Sequence, residues 1–571
     1  MKIPSMFCGV LWFSVLAPQL IAVERPNVIL VMTDDQGYGD VGFHGNEMIQ
    51  TPNLDALARE SVRFTNFHVD PTCSETRAAL MTGRYACRTG VWHTILGRSL
   101  LRRGEATLAD AFQSNGYRTG IFGKWHLGDN FPFRALDRGF QQVLINGGGG
   151  VGQTPDYWEN NYFDDTYFRN DTAEKQRGYC TDVWFDAAID FMKTTSDRPF
   201  FCYIPTNAPH GPFHVAPHYS RPYVAQGVPQ PMANFYGMIT NFDENMGRLL
   251  EALEGNGIAD ETILIFLTDN GTAAGARPRG KPQPGKWEGF NAGMRGQKGS
   301  QYEGGHRVPC FVRWPGRIGK ARDINNLAAH MDLFPTLSEL CQLPHQGKPW
   351  DGVSLVPLLQ EGQELGPRTL VVHSQRVDRP EKWRKSSVMT DQWRLVDGEE
   401  LYDIQKDPGQ QNNVAVKHAG EVARLRSEYE DWWASVSTRF GEYCEIILGD
   451  ARQNPTTLTC HDWHSDRVPW NQGHINQDLM SNGFWAVEIT QAGTYRCTLR
   501  ARPAGVAYAL QEGMATLKIG DESWQEKIVT GVSEVSFEVE LLAGKCQVTT
   551  TLQEIGRGTR GAYFLTVERM N

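Results

Sequence analysis

The sequence predicts an α/β protein with a mostly parallel β-sheet sandwiched by helices, followed by a small α+β subdomain and an additional β-rich domain. Three observations support this fold class. Short apolar runs alternate with helical patterns through the first part of the 571-residue chain. These runs end in acidic, basic or amide residues. Beyond residue 369 the pattern changes to short strands, which become nearly continuous after residue 471.

Four apolar runs are predicted to be strands buried on both faces, because they are short, rich in β-forming residues and unalternating. They occupy residues 27–32, 118–122, 200–204 and 262–267. Helical patterns lie between them, at residues 53–61, 108–115, 182–193 and 235–256. Strands that alternate with helices form parallel sheets covered on both sides. Ligands bind outside the carboxyl ends of such strands, so we expect the polar residues that follow these runs to share one cleft.

The change of pattern along the chain predicts five segments. They are a signal peptide at 1–22, the main α/β domain at 23–368, an α+β subdomain at 369–445, a linker at 446–470 and a β-sandwich accessory domain at 471–571. In the last segment, turn residues separate five short strand patterns at regular intervals, as a sandwich requires.

The first 22 residues have the features of a signal peptide. Lys2 supplies a positive start, residues 6–17 form an apolar run, and Ala22 offers a small residue for cleavage. The run is too short for a membrane span, so we expect export to the periplasm or the medium. Eleven cysteines are present, of which Cys8 lies in this segment, and none forms a CxxC pair with zinc spacing. Apart from this run, no apolar stretch approaches the length of a membrane-spanning helix.

The charge balance limits the classes of partner. The net charge is −10, which argues against a nucleic-acid partner. An anionic substrate would be repelled by the overall field and would need a local cationic site.

Oxygen-bearing side chains follow two of the predicted strands. Asp34 and Asp35 come after the first strand, and Asp269 and Asn270 come after the fourth. Several carboxylates with an amide carbonyl suit Ca²⁺ or Mg²⁺ better than zinc. Each pair by itself could equally cap a turn, but two pairs on neighbouring strands favour a metal site.

A cysteine stands at a predicted helix start. Cys73 follows Pro71-Thr72 and precedes a helical run in which Arg77 lies one turn further on. A helix N-terminus carries free N–H groups and the positive end of the dipole, which favour an anion and can activate a nucleophile. A cysteine in such a place is also a common structural residue.

Cationic and acid–base side chains complete the candidate site. Lys124, His126, His210 and Lys298 follow strands or lie in the loops near them. Lysine can bind the oxygens of sulfate or phosphate, and histidine can transfer a proton near neutral pH. The remaining candidates are treated as structural; they are His44, His93, His306 and His330.

As an ordered set, these motifs resemble the type I sulfatases, arylsulfatase-like enzymes of the alkaline phosphatase superfamily. The matching motifs are Asp34-Asp35, Cys73-x-x-x-Arg77, Gly123-Lys124-Trp125-His126, Pro209-His210-Gly211-Pro212, Thr268-Asp269-Asn270-Gly271 and Gly296-Gln297-Lys298-Gly299. The likeness covers residues 24–440 and leaves the β-rich tail outside. It implies an alkaline phosphatase-like fold and a secreted hydrolase of sulfate esters, acting on an aryl sulfate or a sulfated glycan.

The resemblance also implies two cofactors. A separate formylglycine-generating enzyme would oxidise Cys73 to formylglycine, whose hydrate attacks sulfur and later expels sulfate. A calcium ion would be bound by five residues. These are Asp34, Asp35, the modified Cys73, Asp269 and Asn270.

The remaining roles also follow from the resemblance. Arg77 and Lys124 would steady the nucleophile, and Asp269 would help to deprotonate it. His126 would take a proton when the sulfate is expelled. Lys124, His210 and Lys298 would bind the sulfate of the substrate, and the last two would help the leaving oxygen to depart.

One position departs from the family's pattern. The family's motif is Cys-x-Pro-x-Arg, and Glu75 replaces the proline here. Since the modifying enzyme recognises that proline, the change puts the conversion of Cys73 in question. Two other functions stay open at this point: hydrolysis of phosphate or phosphonate esters on the same fold, and non-catalytic binding of sulfated glycans.

Overall fold

A computed structural model describes residues 25–194, 197–276, 289–344, 347–360 and 363–570. The predicted signal peptide lies outside these residues. Within them, no helix has both the length and the apolar character needed to cross a bilayer.

The α/β part of the chain contains strands β1–β12 and helices α1–α9. The strands are β1 Asn27–Thr33, β2 Val62–Phe64, β3 Phe67–His68, β4 Arg118–Lys124, β5 Gln142–Asn146, β6 Thr166–Arg169, β7 Thr172–Lys175, β8 Phe200–Pro205, β9 Thr262–Thr268, β10 Cys310–Arg313, β11 Arg322–Ile324 and β12 Ala328–Ala329. The helices are α1 Pro52–Glu60, α2 Cys73–Thr82, α3 Leu108–Ser114, α4 Cys180–Lys193, α5 Pro217–Ala225, α6 Gln230–Gly255, α7 Glu303–His306, α8 Leu333–Leu340 and α9 Val356–Leu359.

Ten strands form one sheet in the order β11-β2-β10-β9-β1-β8-β4-β5-β6-β7. The central strands β9, β1, β8, β4 and β5 are parallel, and antiparallel pairs continue the sheet on both sides. All four predicted strands belong to this parallel centre. The prediction of a mostly parallel sheet is therefore confirmed.

Helices cover both faces of the sheet, as the apolar runs predict. Along β1, Val28 and Leu30 join one hydrophobic core, whereas Ile29 and Val31 join a second core on the opposite face. Successive side chains of a strand point to opposite faces, so every side chain is buried when helices cover both sides of the sheet. This explains why β1 reads as a continuous apolar run.

A small antiparallel sheet and one long helix follow. The sheet contains β13 Leu370–His373, β14 Ser386–Met389, β15 Trp393–Val396 and β16 Glu400–Asp403, and the helix is α10 Ala419–Val436. These elements match the predicted α+β pattern, with β16 as an additional strand.

Two β-sheets make up most of the chain beyond residue 445. Their strands are β17 Ile446–Leu448, β18 Thr456–Thr459, β19 Phe484–Ile489, β20 Gly493–Arg500, β21 Gly513–Ile519, β22 Glu522–Ile528, β23 Glu534–Leu541, β24 Gly544–Glu554, β25 Gly558–Arg560 and β26 Phe564–Arg569, with one short helix, α11 Gln472–Asn476. One sheet has the order β17-β19-β24-β21-β22, with β25 on β24, and the other has the order β18-β26-β20-β23. Both contribute to a single hydrophobic core.

The structure corrects the prediction that residues 446–470 form a linker. Strand β17 pairs with β19, and β18 pairs with β26, so this segment belongs to the two C-terminal sheets. Both strands are short, and turn residues separate them, which hides them in the sequence. We propose that the β-rich region starts near residue 446.

The β-rich region packs directly on the α/β part. Its hydrophobic core also contains Leu96, Leu100 and Phe133. The shared core fixes the β-rich region at one place on the α/β part. All ten cysteines among the described residues carry free thiols, and Cys202 is fully buried in β8, as its apolar run predicts.

Candidate functional site

The metal-ligand candidates meet at the carboxyl ends of two neighbouring strands. Strand β1 pairs with β9 in parallel, and Thr33 lies opposite Thr268. The residues that follow remain linked, because the Asp269 N–H donates to the Thr33 carbonyl and the Asp35 N–H donates to Asp269 Oδ1. Asp35 adopts a positive φ of 71°, which turns the chain at the end of β1.

Three buried ion pairs join these carboxylates to cations from other elements. Lys124 Nζ lies 2.6 Å from Asp34 Oδ2, and Lys298 Nζ lies 2.5 Å from Asp35 Oδ1. One guanidinium nitrogen of Arg77 lies 2.8 Å from Asp269 Oδ2. The other donates to the Lys124 carbonyl, so that Arg77 links the ends of β4 and β9.

The carboxylates affect one another's protonation. Burial, and then the neighbouring Asp269, raise the pKa of Asp34 to about 8, although Lys124 opposes the shift. Burial alone would raise the pKa of Asp35 too, but Lys298 and His210 hold it well below its usual range. Crowded buried carboxylates of this kind favour a bound cation, which would lower the pKa of Asp34.

The donor set fits a calcium ion. Asn270 Oδ1 is buried and has no hydrogen-bond partner among the described residues, whereas its amide nitrogen donates to Asp35 Oδ1. A buried oxygen without a partner is costly unless a ligand pairs with it. Carboxylate and amide oxygens are the ligands that Ca²⁺ prefers. The residues present therefore fit the metal that the resemblance implies.

Cys73 lies beside this cluster at the first position of α2. Its Sγ is 3.5 Å from Asp34 Oδ1 and is grouped with ligand atoms of Asp35 and His210, all within 4.8 Å of one another. Only 2% of the side chain is exposed, and burial, followed by Asp34, raises the pKa of the thiol far above neutral pH. The unmodified thiol is therefore protonated and is a weak nucleophile.

Glu75, which stands in place of the expected proline, is buried in the first turn of α2. Burial, partly offset by hydrogen bonds to Thr72 and to its own backbone N–H, raises the pKa of Glu75 to about 7. The N–H groups of a first helical turn have no partner within the helix, so a proline at this position would fit the backbone.

His210 lies across the cluster from Lys124. Its Nδ1 donates to the Gly211 carbonyl at 2.6 Å, which leaves Nε2 directed to the site, 3.8 Å from Asp35 Oδ2. Burial and the nearby Lys298 lower the pKa of His210 to about 4. The imidazole is therefore neutral at pH 7 until negative charge arrives beside it.

His126 is held in one tautomer by the backbone. Its Nε2 donates to the Thr94 carbonyl at 2.9 Å, and its Nδ1 is buried without a partner among the described residues. Burial, and then Lys124, lower its pKa well below the usual value. His126 is thus a neutral base with Nδ1 as its acceptor atom.

The glycines that lie beside these histidines are not among the sequence candidates. A methyl group at Gly149 would lie 2.2 Å from His126 Nε2, and a methyl group at Gly150 would lie 3.5 Å from His210 Nδ1. The Tyr162 hydroxyl donates to the His210 carbonyl. The run of four glycines at 147–150 is a visible signal of close packing, but the sequence does not show what it packs against.

A second cluster of possible metal ligands is structural. It contains His68, Glu303 and His306, which are fully buried. The two imidazoles share a hydrogen bond of 2.9 Å, and Arg394 donates to Glu303 at 2.6 Å. An arginine already pairs with the only carboxylate, so a cation would be repelled here.

Two family models match the chain. The model described as Sulfatase matches residues 26–343, which is more than half of the chain. The model described as N-sulphoglucosamine sulphohydrolase, C-terminal, matches residues 297–431. Neither model extends into the two C-terminal sheets.

Individual relatives agree with the family models. N-acetylgalactosamine-6-sulfatase from Homo sapiens is 32% identical over 369 residues, or 60% of this chain and 67% of that protein. Arylsulfatase A from Homo sapiens is 30% identical over 473 residues, or 72% of this chain and 87% of that protein.

A solved structure has a similar fold. Ps i-CgsB, in complex with k-i-k-neocarrahexaose, superimposes with a TM-score of 0.63 at 27% identity. The match covers 74% of this chain and 95% of that one.

Proposed function

This chain belongs to the sulfatase family and hydrolyses sulfate esters, and from that premise we propose that its substrate is a sulfated carbohydrate and that its nucleophile is a formylglycine made from Cys73 beside a bound calcium ion. One observation carries the proposal. Cys73 Sγ lies 3.5 Å from Asp34 within a group of carboxylates, lysines and histidines at the strand ends.

The substrate class is inferred from the relatives. One similar protein is named for the 6-sulfate of N-acetylgalactosamine, and a similar structure contains a carrageenan-type oligosaccharide. Both molecules are carbohydrates. We therefore expect a sulfated sugar as the natural substrate, and an aryl sulfate as a convenient laboratory substrate.

The two cofactors would supply chemistry that the chain lacks. Formylglycine supplies a hydrated aldehyde as nucleophile, and calcium supplies positive charge beside it. The metal would be bound by Asp34, Asp35, Asp269, Asn270 and the modified residue 73. The protonated thiol of the unmodified protein supports this proposal, because it leaves residue 73 without a reactive anion.

The remaining groups bind the sulfate and move protons. Lys124 and Lys298 carry positive charge beside Asp34 and Asp35 and would neutralise the sulfate oxygens. His210 would bind the ester through Nε2, where it can hold a proton for the leaving oxygen. His126 would accept a proton at Nδ1. Arg77 would hold the Asp269 carboxylate and the Lys124 backbone in place through its two hydrogen bonds.

Maturation and location are parts of the same proposal. Conversion of Cys73 requires a formylglycine-generating enzyme, and the signal-peptide pattern at residues 1–22 favours export to the periplasm or the medium. We retain the division into an α/β domain, an α+β subdomain and a β-rich region.

The mass of residue 73 tests the nucleophile. Trypsin should release residues 64–77 as one peptide, which becomes lighter and loses its thiol on conversion. Cys73→Ala should be inactive. Because a first-turn proline fits α2, Glu75→Pro should raise the converted fraction and the activity together in a host whose modifying enzyme requires proline.

Two outcomes would contradict the proposal. Active protein from its own source with an intact Cys73 thiol would exclude formylglycine. Faster turnover of 4-nitrophenyl phosphate than of 4-nitrophenyl sulfate would move the substrate to phosphate esters. Serine at residue 73 controls for the size of the side chain, and Cys73→Ser should be inactive when the modifying enzyme acts only on cysteine.

A further inference from the structure

The β-rich region extends a segment into the catalytic centre. This docking segment, residues 460–472, connects β18 with β19. The Leu96 N–H donates to the His461 carbonyl at 3.1 Å. Further along, the Thr154 N–H donates to the Trp470 carbonyl at 3.1 Å. The segment is therefore fixed to two loops of the α/β part, one of which also carries Thr94.

The docking segment also binds a loop that lies beside the two catalytic histidines. In this glycine loop, residues 147–153, Gly149 packs on His126, and a methyl group at Gly150 would lie 3.5 Å from His210 Nδ1. The Gln472 N–H donates to the Gly152 carbonyl at 3.0 Å. The Gln472 side chain donates to the Gln153 carbonyl at 3.3 Å. A region beyond the family models thus contributes to the shape of the site.

His461 is the side chain that this segment brings closest to the reaction. Its ring centroid lies 6.3 Å from that of His126, and 1% of its surface is exposed. Its Nε2 is buried and has no hydrogen-bond partner among the described residues, like Nδ1 of His126. Leaving a buried nitrogen of this kind unpaired is costly, so a bound group is expected to pair with it.

The acidic side chains near His461 favour an uncharged hydrogen-bond partner for its Nε2. Its Nδ1 lies 3.4 Å from Asp462 Oδ1, and Asp462 is itself 4% exposed. Burial, and then the charge of Asp462, raise the pKa of a further acid, Asp129, to about 6. These acids disfavour a second anionic group beside His461. A hydroxyl, which can both donate and accept, can pair with either tautomer of the imidazole.

We propose that His461 is a specificity-determining residue, which hydrogen-bonds through Nε2 to a hydroxyl of the sugar that carries the scissile sulfate. The proposal rests on the proposed function, because it takes a sulfated sugar as substrate. It makes the β-rich region a part of the substrate site, whereas the sequence suggests a separate accessory domain. An aryl sulfate has no such hydroxyl and should not use this contact.

The test compares two classes of substrate, an aryl sulfate and three sugar sulfates. Wild type, His461→Ala and His461→Gln are assayed with 4-nitrophenyl sulfate and with the 6-sulfates of N-acetylgalactosamine, galactose and glucosamine. We expect His461→Ala to lower kcat/KM at least tenfold on the sugar that wild type prefers, and to change turnover of the aryl sulfate less than twofold. His461→Gln, which can still donate and accept, should recover part of the loss. The exposed His418 provides the control, since His418→Ala should change neither activity.

Other results would contradict either the role of His461 or the proposed function. Equal losses on both substrates, or no loss on the sugar, would overturn the role of His461. Wild type that hydrolyses the aryl sulfate but none of the three sugars would overturn it as well. Wild type that hydrolyses no sulfate ester would instead contradict the proposed function. Melting temperatures measured in parallel show whether the variants are folded.

Discussion

The two halves of the site are positioned in different ways. Asp34, Asp35, Asp269 and Asn270 follow directly on β1 and β9, two strands paired along their whole length. His126 and His210 also follow strands, but their rings are held by loop carbonyls, of Thr94 and of Gly211. The glycine loop that Gln472 binds from the β-rich region packs on His126. The strand-end half has its geometry set by the sheet, whereas the histidine half depends on contacts between remote parts of the chain.

The two halves also differ in their chemistry, because the first consists of charged groups and the second of neutral histidine rings. The strand-end half carries paired charges that are almost fully buried, so removing one member leaves another charge unpaired. The histidine half carries neutral rings whose positions, and not their charges, are maintained by the loops. Variants in the first half should therefore change charge and metal binding, and variants in the second half should change geometry.

The largest effect is expected at Asp35. Asp35→Asn keeps the shape of the side chain but removes the charge that pairs with Lys298 and would bind calcium. We expect kcat/KM to fall by at least about 1,000-fold. Bound calcium, measured by equilibrium dialysis, should fall in parallel, and chelator should lower the melting temperature of the wild type but not of the variant.

The control for this change is an exposed carboxylate. Asp190 lies on α4 with 77% of its side chain exposed, so Asp190→Asn should leave activity and calcium binding unchanged. Full activity of the wild type after exhaustive chelation, with no metal detected, would show that the cluster is not a calcium site.

A smaller effect is expected at Lys298. Lys298→Ala removes a cation that lies 2.5 Å from Asp35 and that would bind the sulfate in the proposed function. We expect kcat/KM to fall more than about tenfold, or roughly 1.4 kcal/mol of transition-state stabilisation. Lys320 is exposed, and Lys320→Ala serves as the control. An unchanged kcat/KM for Lys298→Ala would remove this lysine from the sulfate site.

The smallest effect should be found at Gln472. Gln472→Ala removes a side-chain bond to Gln153 of the glycine loop, which packs on His126, and a second bond to the Glu159 N–H just beyond that loop. We expect kcat to fall about fivefold, with KM nearly unchanged, and to the same extent on aryl and sugar sulfates. Gln477 is exposed and follows directly on α11, so Gln477→Ala offers a matched control.

This pattern distinguishes Gln472 from His461. A positioning residue changes both substrates alike, whereas a specificity-determining residue changes one of them. If Gln472→Ala had no effect on kcat, the β-rich region would not be needed to position the histidines, and the two halves of the site would be equally independent of it.

Much of the fold could be predicted from the sequence because its signals are local. The four apolar runs match β1, β4, β8 and β9 to within two residues at each end. Strands that are buried on both faces appear in the sequence as continuous apolar runs. The linker prediction was wrong because β17 and β18 are three and four residues long and are defined by their partners. Such short segments carry no periodicity of their own.

For the site, the sequence provided the residue types and their positions after the strands. Asp34, Asp35, Asp269 and Asn270 could be placed together because parallel strands end at one edge of a sheet. Lys124 and Lys298 could be named, but their pairing with Asp34 and Asp35 could not. That pairing depends on how far each lysine reaches across the cleft, which only the folded chain determines.

The sequence by itself determined the fold class, the family and the set of charged groups at the strand ends, because each is written in local patterns and ordered motifs. The tertiary structure decided which nitrogen of His126 is free, what the glycine run packs against, and that His461 lies beside the site. These facts depend on contacts between residues several hundred positions apart, as between Thr154 and Trp470. Such contacts leave no periodic trace in a single sequence, since they are made by individual residues brought together only when the sheets pack.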